Sequence, residues 1–168
     1  DVLASRSIPV VPVTSKTRAE LVPLMARLGL SGAAIAENGA AIMHADGPVD
    51  IADTREQIAA ALASLPKNIR SAMVCFRDMD TKQIASATGL ALNDAARAAA
   101  REASEPFMWR GNATPPTTFT EMLGETLKKS GLRLTQGGRF FHIVPVRDKA
   151  AAISALLSEQ TPRPQSWV

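Results

Sequence analysis

A short apolar run near the start of the chain ends in a group of hydroxyl and ammonium side chains. In IPVVPVTSKTRAE, residues 8–13 are followed at once by Thr14, Ser15, Lys16 and Thr17. Hydroxyls and backbone N–H groups between a strand and a helix can hold a phosphate, and the helix dipole adds to the attraction. The alternative is that Ser15 or Thr17 only caps the helix, and the residue types alone favour that alternative.

The elements predicted around this group are a strand, a helix and a hairpin. The β-branched run over 8–13 predicts a strand, and the next helix runs over 17–28 with a glycine as its C-terminal stop. The pair Asn38-Gly39, between the apolar runs of AAIAENGAAIM, predicts a β-hairpin. The hydroxyl-bearing residues that follow this strand therefore lie at its carboxyl end. In parallel α/β sheets, ligands bind at the carboxyl ends of the strands.

The middle of the chain predicts a stretch of mixed helices and strands. Asp53 and Glu56 predict a capping box for a helix that ends near residue 65. EPFMW predicts a strand over 105–109, and LRLTQ, GG and RFFHIV predict a second hairpin. The other predicted elements are a strand over 69–76, helices over 81–88 and 94–103, a helix in TTFTEMLGETLKKSG and a last helix over 148–159.

The order of these elements predicts an α/β fold in which an α+β domain interrupts a parallel core. We expect the first part of the core over 1–44, the inserted domain over 45–146 and a return to the core over 147–168. The final residues, RPQSWV, read as the beginning of another strand. We therefore expect both ends of the chain to continue in a longer protein.

Composition and charge narrow the possible classes of protein. Of the 168 residues, 46% are hydrophobic and 21% charged, which is typical of a folded soluble domain. The net charge of +3 comes from scattered Lys and Arg, which favours a small anionic ligand over a nucleic acid. The single cysteine, Cys75, has no disulfide partner and fits a reducing cytoplasm. No apolar stretch reaches the length of about 18 residues that a membrane span needs, and the sequence leaves the oligomeric state open.

Several stretches together carry a family resemblance. VVPVTSKTRAE, AENGAAI and GLRLTQGGRFFHIVPVRDKAAAISAL resemble, in order and spacing, the haloacid dehalogenase phosphatases with a large cap inserted after the second motif. They specifically resemble the mannosyl-3-phosphoglycerate phosphatases, and TGLALNDAARAAAREASEPFMWRG is similar to the cap of that subfamily. The resemblance covers nearly the whole chain and implies part of a Rossmann-like core with an inserted α+β cap.

The resemblance assigns phosphate-binding roles to residues near the two ends of the chain. Thr14 matches the second-motif hydroxyl that hydrogen-bonds the transferring phosphoryl group, and Ser15 and Lys16 follow it in the TSKT variant of the subfamily. Asn38 is expected near the phosphate, although the turn alone would also explain it. Lys149 matches the third-motif lysine, which steadies the nucleophile and the phosphoryl oxygens. A cation is electrostatically unfavourable in the first turn of a helix, which favours a functional role for Lys149 over a solvated one.

Two further motifs of the family are expected outside the chain. The D-x-D motif, which supplies the aspartate nucleophile and an acid-base aspartate, would lie before Asp1. The G-D-x-x-N-D motif, which holds Mg²⁺, would lie beyond Val168. The resemblance thus implies Mg²⁺ as cofactor, with ligands outside the chain, while the chain itself carries the phosphate-binding and substrate-choosing parts.

The predicted second hairpin matches the substrate-reading part of the cap. The subfamily stretch QGxRFxH falls on Gln136, Gly137, Gly138, Arg139 and His142. Glycines allow close backbone approach, and a planar guanidinium suits the carboxylate of a glycerate. The alternative is a Gly-Gly turn beside an exposed arginine. In a regular strand Arg139 and His142 point to opposite faces, and we favour Arg139 as the substrate ligand.

The function that the resemblance implies is that of an Mg²⁺-dependent phosphomonoester hydrolase. Its substrate would be mannosyl-3-phosphoglycerate or a close glycosyl-phosphoglycerate, hydrolysed to mannosylglycerate and phosphate through an aspartyl-phosphate intermediate. Two alternatives stay open. One is a broader sugar-phosphate phosphatase with the same core, and the other is a non-catalytic module that binds carbohydrate acids.

Overall fold

The computed structural model of the chain describes residues 2–6, 8–110 and 115–159. The described residues form two sheets with helices packed against both. The helices are α1 (Val2–Ser5), α2 (Arg18–Leu28), α3 (Arg55–Ser64), α4 (Lys67–Ala72), α5 (Thr81–Thr88), α6 (Leu92–Ala99), α7 (Thr117–Lys129) and α8 (Lys149–Ser158). The strands are β1 (Ala34–Ala36), β2 (Ala41–Met43), β3 (Asp50–Ile51), β4 (Met73–Cys75), β5 (Glu105–Trp109), β6 (Leu132–Gly137) and β7 (Phe140–Pro145).

The first sheet has the order β1-β2-β3 and lies between α2 and α8. Leu21 and Met25 of α2 pack against the alanines of β1 and β2. Ile35 and Ile42 point the other way and pack with Leu156 of α8. Because successive side chains of a strand point to opposite faces, both faces of this sheet are covered, as in an α/β layer arrangement.

The strand predicted over 8–13 is wrong in extent. Only Val13 pairs with the first sheet, through a single parallel bridge to Ile35. The carbonyl of Pro12 accepts from Ile35 N at 2.8 Å, and Thr14 N donates to the Ile35 carbonyl at 2.9 Å. Pro9 and Pro12 have no backbone N–H to contribute to a longer ladder. The segment still delivers Thr14 to the end of β1.

The second sheet is antiparallel with the order β4-β5-β7-β6. Phe107 of β5 and Ile143 of β7 lie in one apolar cluster with Ile58 of α3 and with Leu123 and Leu127 of α7. Phe140 of β7 packs against a smaller apolar cluster formed with α5 and α6. Cys75 is buried in the larger cluster, and burial raises the pKa of its thiol to about 12, so it is a core residue.

Most predicted elements are confirmed within a residue or two. These are α2, α5, α7, α8, β5 and both hairpins. Gly29 ends α2 with φ 65°, and Gly89 ends α5 with φ 78°. The residues that begin and end these elements, such as N-caps and C-terminal glycines, act on neighbours a few positions away in the sequence. Such elements can therefore be predicted without knowledge of the tertiary structure.

Three other predictions are wrong in detail. Thr54, not Asp53, precedes α3, and the predicted capping box with Glu56 does not form. The hydroxyl of Thr54 instead donates to the carbonyl of Ala103 at 2.7 Å, so a tertiary contact replaces a local cap. The strand predicted over 69–76 is divided into α4 and the short β4. Helix α6 begins two residues and ends four residues earlier than predicted.

The boundaries of the predicted domains stay a prediction. Strand β3 pairs with β2, so the first sheet includes residues beyond position 44. The strand predicted from RPQSWV falls on residues outside those that the structure describes.

Candidate functional site

The loop after Val13 places Thr14 and helix α2 side by side. Thr14 Oγ1 accepts a hydrogen bond from Lys16 N at 3.2 Å. Thr17 is the N-cap of α2 and forms a capping box with Glu20, whose carboxylate also pairs with the Lys16 ammonium at 3.1 Å. The capping interpretation therefore holds for Thr17. Ser15 is exposed and leaves its hydroxyl free of a structural role within the described residues.

The turn of the first hairpin, Glu37-Asn38-Gly39, contacts this loop directly. Asn38 N donates to the Thr14 carbonyl at 3.0 Å, and Glu37 N donates to the Lys16 carbonyl at 2.9 Å. All three residues of the turn have positive φ, at 48°, 62° and 103°. Side chains other than asparagine and aspartate rarely adopt this backbone, and such strain concentrates at functional sites.

The same turn lies against the start of α8. A β-carbon on Gly39 would overlap the Asp148 carbonyl group and stand 2.8 Å from Lys149 N. Arg147 holds the turn from the same side, since its guanidinium donates to the carbonyls of Gly39 and Ala40 at 3.0 and 2.8 Å. Asp148 caps α8 by accepting from Ala151 N at 2.8 Å. Lys149 is therefore next to the turn that binds the Thr14 loop.

His142 and Arg101 complete this group from the second sheet. Burial, then the charge of Arg101 and then that of Lys149 lower the pKa of His142 to about 4, so its imidazole is neutral at pH 7. His142 is 8% exposed, and its Nδ1 has no hydrogen-bond partner within the described residues. Arg101 Nη1 donates to the Ser15 carbonyl at 2.7 Å. Contacts and charge effects thus link Ser15, Arg101, His142 and Lys149.

The predicted substrate-reading residues divide into two groups. Gly137 lies beside His142, since a β-carbon there would be 3.9 Å from the imidazole Nε2. Gln136 is exposed on β6, and Gly138, at φ 59°, makes the turn to β7. The guanidinium of Arg139 donates to the Thr88 carbonyl at 3.0 Å, at the end of α5, and lies 5.9 Å from the Phe140 ring centroid. Arg139 is therefore bound to the end of α5, and within the described residues no hydrogen bond or ion pair joins it to Lys149 or Thr14.

Two residues of this region were missed by the sequence analysis. Glu37 is fully buried, and its carboxylate accepts hydrogen bonds from the segment 102–104. Arg101 donates to the Ser15 carbonyl, and its charge lowers the pKa of His142 more than that of Lys149 does. Burial lowers the pKa of Arg101, and the carboxylates of Glu37, Glu20 and Glu105 oppose that shift. The signal for Glu37 was present in AENGAAI, where one carboxylate is surrounded by apolar residues.

One D-x-D triplet does occur within the chain, at Asp78-Met79-Asp80. Asp78 accepts two hydrogen bonds from Arg70 at 2.8 Å. Asp80 is the N-cap of α5 and accepts from Gln83 N at 2.8 Å. Both carboxylates have structural partners on the second sheet and α5, so this triplet is not a counterpart of the nucleophile motif.

Two concave regions of the described residues are lined by neither Thr14 nor Lys149. The larger, of about 740 Å³, lies beside β4 with Lys67, Arg70 and Arg110 at its rim. The smaller, of about 80 Å³, includes Arg101 and Glu105. The candidate site is defined by contacts among side chains and backbone groups.

Within residues 2–6, 8–110 and 115–159, no group of three or more His, Cys, Asp or Glu side chains is arranged to hold a metal ion. This part of the chain by itself does not fit a Mg²⁺ site. None of the helices that the structure describes combines the length and the apolar character required to cross a bilayer.

Comparison with solved structures identifies the fold. The sucrose-phosphatase of Synechocystis, solved with sucrose and phosphate, matches with a TM-score of 0.62 and 17% identity over 94% of this chain and 60% of that one. A protein of Thermoplasma acidophilum matches with a TM-score of 0.60 and 17% identity over 94% and 58%. A haloacid dehalogenase-like hydrolase of B. subtilis matches with a TM-score of 0.57 and 15% identity over 94% and 69%. No protein-family model matches the sequence.

These likenesses establish the class of fold. The chain has a mixed α/β fold of the haloacid dehalogenase type, with part of a Rossmann-like core and an α+β cap. It spans 58% and 60% of the first two structures, so activity, substrate and partners are matters for proposal.

Proposed function

We propose that the chain is the phosphate-binding and substrate-selecting part of a haloacid dehalogenase-type phosphatase that acts on small phosphorylated sugars. The preferred substrate is mannosyl-3-phosphoglycerate or a close glycosyl-phosphoglycerate, and the products are mannosylglycerate and phosphate. The nucleophilic aspartate and the ligands of Mg²⁺ are proposed to lie outside the chain.

The observation that carries this proposal is the meeting of Thr14, Asn38 and Lys149 around one turn. Asn38 N donates to the Thr14 carbonyl at 3.0 Å, and Gly39 packs against the backbone of Lys149. These backbone contacts support the proposal that residues from opposite ends of the sequence supply a hydroxyl and an ammonium group to one phosphate-binding region. Charge neutralisation and positioning are the main protein contributions to phosphoryl transfer.

Each of these residues has a proposed chemical role. The Thr14 hydroxyl donates to a phosphoryl oxygen, and the exposed ammonium of Lys149 balances the charge that develops on the phosphoryl group. Ser15 and Lys16 add a hydroxyl and a second positive charge nearby, although Lys16 is shared with Glu20.

A broader sugar-phosphate phosphatase is the second candidate, and the placement of Arg139 favours it. The guanidinium that was predicted to bind the glycerate carboxylate is engaged with the Thr88 carbonyl. Without a free arginine at the site, selection for a glycerate carboxylate would be weaker, and sugar phosphates without a carboxylate would compete.

The test is phosphate release by the full-length protein, with Mg²⁺, across a panel of substrates. The panel contains mannosyl-3-phosphoglycerate, glucosyl-3-phosphoglycerate, 3-phosphoglycerate, sucrose 6-phosphate and mannose 6-phosphate. We expect the highest kcat/KM with a glycosyl-3-phosphoglycerate. Equal kcat/KM values across the sugar phosphates would favour the broader enzyme, and release from none of them would refute the proposed function.

A further inference from the structure

Glu37 is the most completely buried carboxylate at the candidate site, and the described residues give it three donors. Its oxygens accept hydrogen bonds from Glu102 N at 2.8 Å, Ala103 N at 3.1 Å and the Ser104 hydroxyl at 2.6 Å. Its relative exposure is 0%. These donors lie 65 to 67 positions away in the sequence, immediately before β5 of the second sheet. Glu37 therefore joins the first sheet to the segment that begins β5.

The backbone of Glu37 belongs to the turn that contacts the proposed phosphate-binding residues. Asn38, its neighbour, donates to the Thr14 carbonyl, and Gly39 packs on Lys149. Glu37 itself adopts φ 48°, an unfavourable conformation for a residue with a β-carbon. A strained backbone of this kind persists only where contacts with its surroundings stabilise it. The three hydrogen bonds from segment 102–104 to the Glu37 carboxylate are such contacts.

A second contact connects the same two regions. Arg101, directly before the segment, donates to the Ser15 carbonyl at 2.7 Å, and Arg18 of α2 forms a two-contact pair with Glu102 at 2.7 and 3.1 Å. The loop after Thr14, the turn at Glu37 and the segment 101–104 are thus mutually bonded. A shift of any one of them would change the geometry of the other two.

We propose that Glu37 is a positioning residue that couples anion binding at Thr14, Asn38 and Lys149 to docking of the segment 102–104. This inference rests on the proposed phosphate-binding function of those residues. An anion that fixes Asn38 also fixes the adjacent Glu37 in the geometry that accepts all three hydrogen bonds. Because coupling is reciprocal, docking of the segment also prepares the turn for the anion.

The direct test is amide hydrogen exchange in the full-length protein, measured with and without saturating inorganic phosphate in the presence of Mg²⁺. The amides of Glu102 and Ala103 donate to Glu37, so their exchange reports docking of the segment. We expect phosphate to slow their exchange about tenfold, within the usual range of coupling between sites.

The matched variants are Glu37→Gln and Glu102→Gln. Glutamine at position 37 has nearly the size of the native residue but replaces one of the two acceptor oxygens with an NH2 donor, so at least one of the three donors loses its acceptor. Glu102→Gln removes the pair with Arg18 and leaves the turn intact. We expect Glu37→Gln to weaken phosphate affinity about tenfold and to abolish the phosphate effect on the amides of 102 and 103. Glu102→Gln should change phosphate affinity less than about twofold, because the carboxylate of Glu37 keeps its three donors.

The outcomes separate this inference from the proposed function. If phosphate slows exchange at 14–17 and 37–39 but not at 102 and 103, the coupling is refuted while the phosphate site stands. Wild-type affinity in Glu37→Gln, or equal losses of affinity in the two variants, would also refute it. If phosphate slows exchange at none of these residues, both the coupling and the proposed function fail.

Discussion

Gly39 lies against the first residue of α8, and a β-carbon on Gly39 would stand 2.8 Å from the backbone nitrogen of Lys149. This contact brings an element near residue 40 and one near residue 149 into one site. It also explains why glycine is required at this position, where φ is 103° and the carbonyl group of Asp148 fills the space beside Cα.

Replacing Gly39 with alanine tests this contact. The added methyl group collides with backbone atoms of Asp148 and Lys149, which cannot move as a side chain would. We expect Gly39→Ala to lower the free energy of unfolding by roughly 3 kcal/mol, measured by urea denaturation. The control is Gly29→Ala, which has φ 65° but no atom within 4 Å of the new β-carbon. It should cost only about 1 kcal/mol, and equal losses in the two variants would mean that the contact with α8 is unimportant.

The proposed role of Lys149 predicts a loss of activity without a loss of stability. Its side chain is exposed, and it occupies the first turn of α8. We expect Lys149→Ala to lower kcat by about 100-fold or more in the full-length protein, because one fixed charge at the phosphoryl group is removed. Thermal unfolding should be nearly unchanged. Lys82, an exposed lysine in the first turn of α5, is the matched control, and Lys82→Ala should retain wild-type kcat. Wild-type kcat in Lys149→Ala would refute the assignment.

Arg139→Ala distinguishes a substrate ligand from a structural arginine. If Arg139 leaves the Thr88 carbonyl to bind the glycerate carboxylate, the variant should raise KM for mannosyl-3-phosphoglycerate about tenfold and leave kcat/KM for p-nitrophenyl phosphate unchanged. Equal loss toward both substrates would identify the contact with Thr88 as the role of the side chain. Stability should fall by no more than about 1 kcal/mol, since the hydrogen bond is exposed.

His142 predicts a specific dependence of stability on pH. Its folded pKa, about 4, lies below the usual value of 6.5. Between these two pH values the unfolded chain binds a proton that the folded chain does not, so stability falls as pH is lowered from about 6.5 to 4. For this group the loss is on the order of 3 kcal/mol.

The comparison with His142→Gln isolates this effect from other titrating groups. Glutamine does not titrate, so the difference in unfolding free energy between wild type and variant should shrink as pH falls from 6.5 to 4. A difference that stays constant over this range would contradict the proposed burial of neutral His142. Urea denaturation at half-unit pH intervals gives the required curves.

Much of the local structure could be predicted from the sequence because its signals are short. Thr17 caps α2 with Glu20 three residues later, and Gly29 ends that helix with a left-handed backbone. The pair Asn38-Gly39 forms the first hairpin turn, as its two residue types favour positive φ. Where a tertiary contact competed, the local prediction was wrong. Thr54 gives its hydroxyl to Ala103 rather than to its own helix.

The candidate site was predictable only in part. The family resemblance predicts that Thr14 and Lys149 share one site, and the backbones of both residues contact the Glu37-Asn38-Gly39 turn. That their side chains bind one phosphate stays a prediction. Arg139 was predicted to bind substrate from its charge and its glycine neighbours, yet the strand turn directs its guanidinium to Thr88. Charge and residue type are visible in a sequence, but the direction of a long side chain depends on the backbone around it.

The sequence by itself determined the alternation of helices and strands, the caps and the glycine turns, because each follows from conformational preferences of residues a few positions apart. The tertiary structure alone decided that the carboxylate of Glu37 receives hydrogen bonds from residues 102–104 and that Arg101 reaches Ser15. A buried carboxylate requires hydrogen-bond donors, and the packing of distant segments decides which residues supply them. Local sequence patterns do not contain this information.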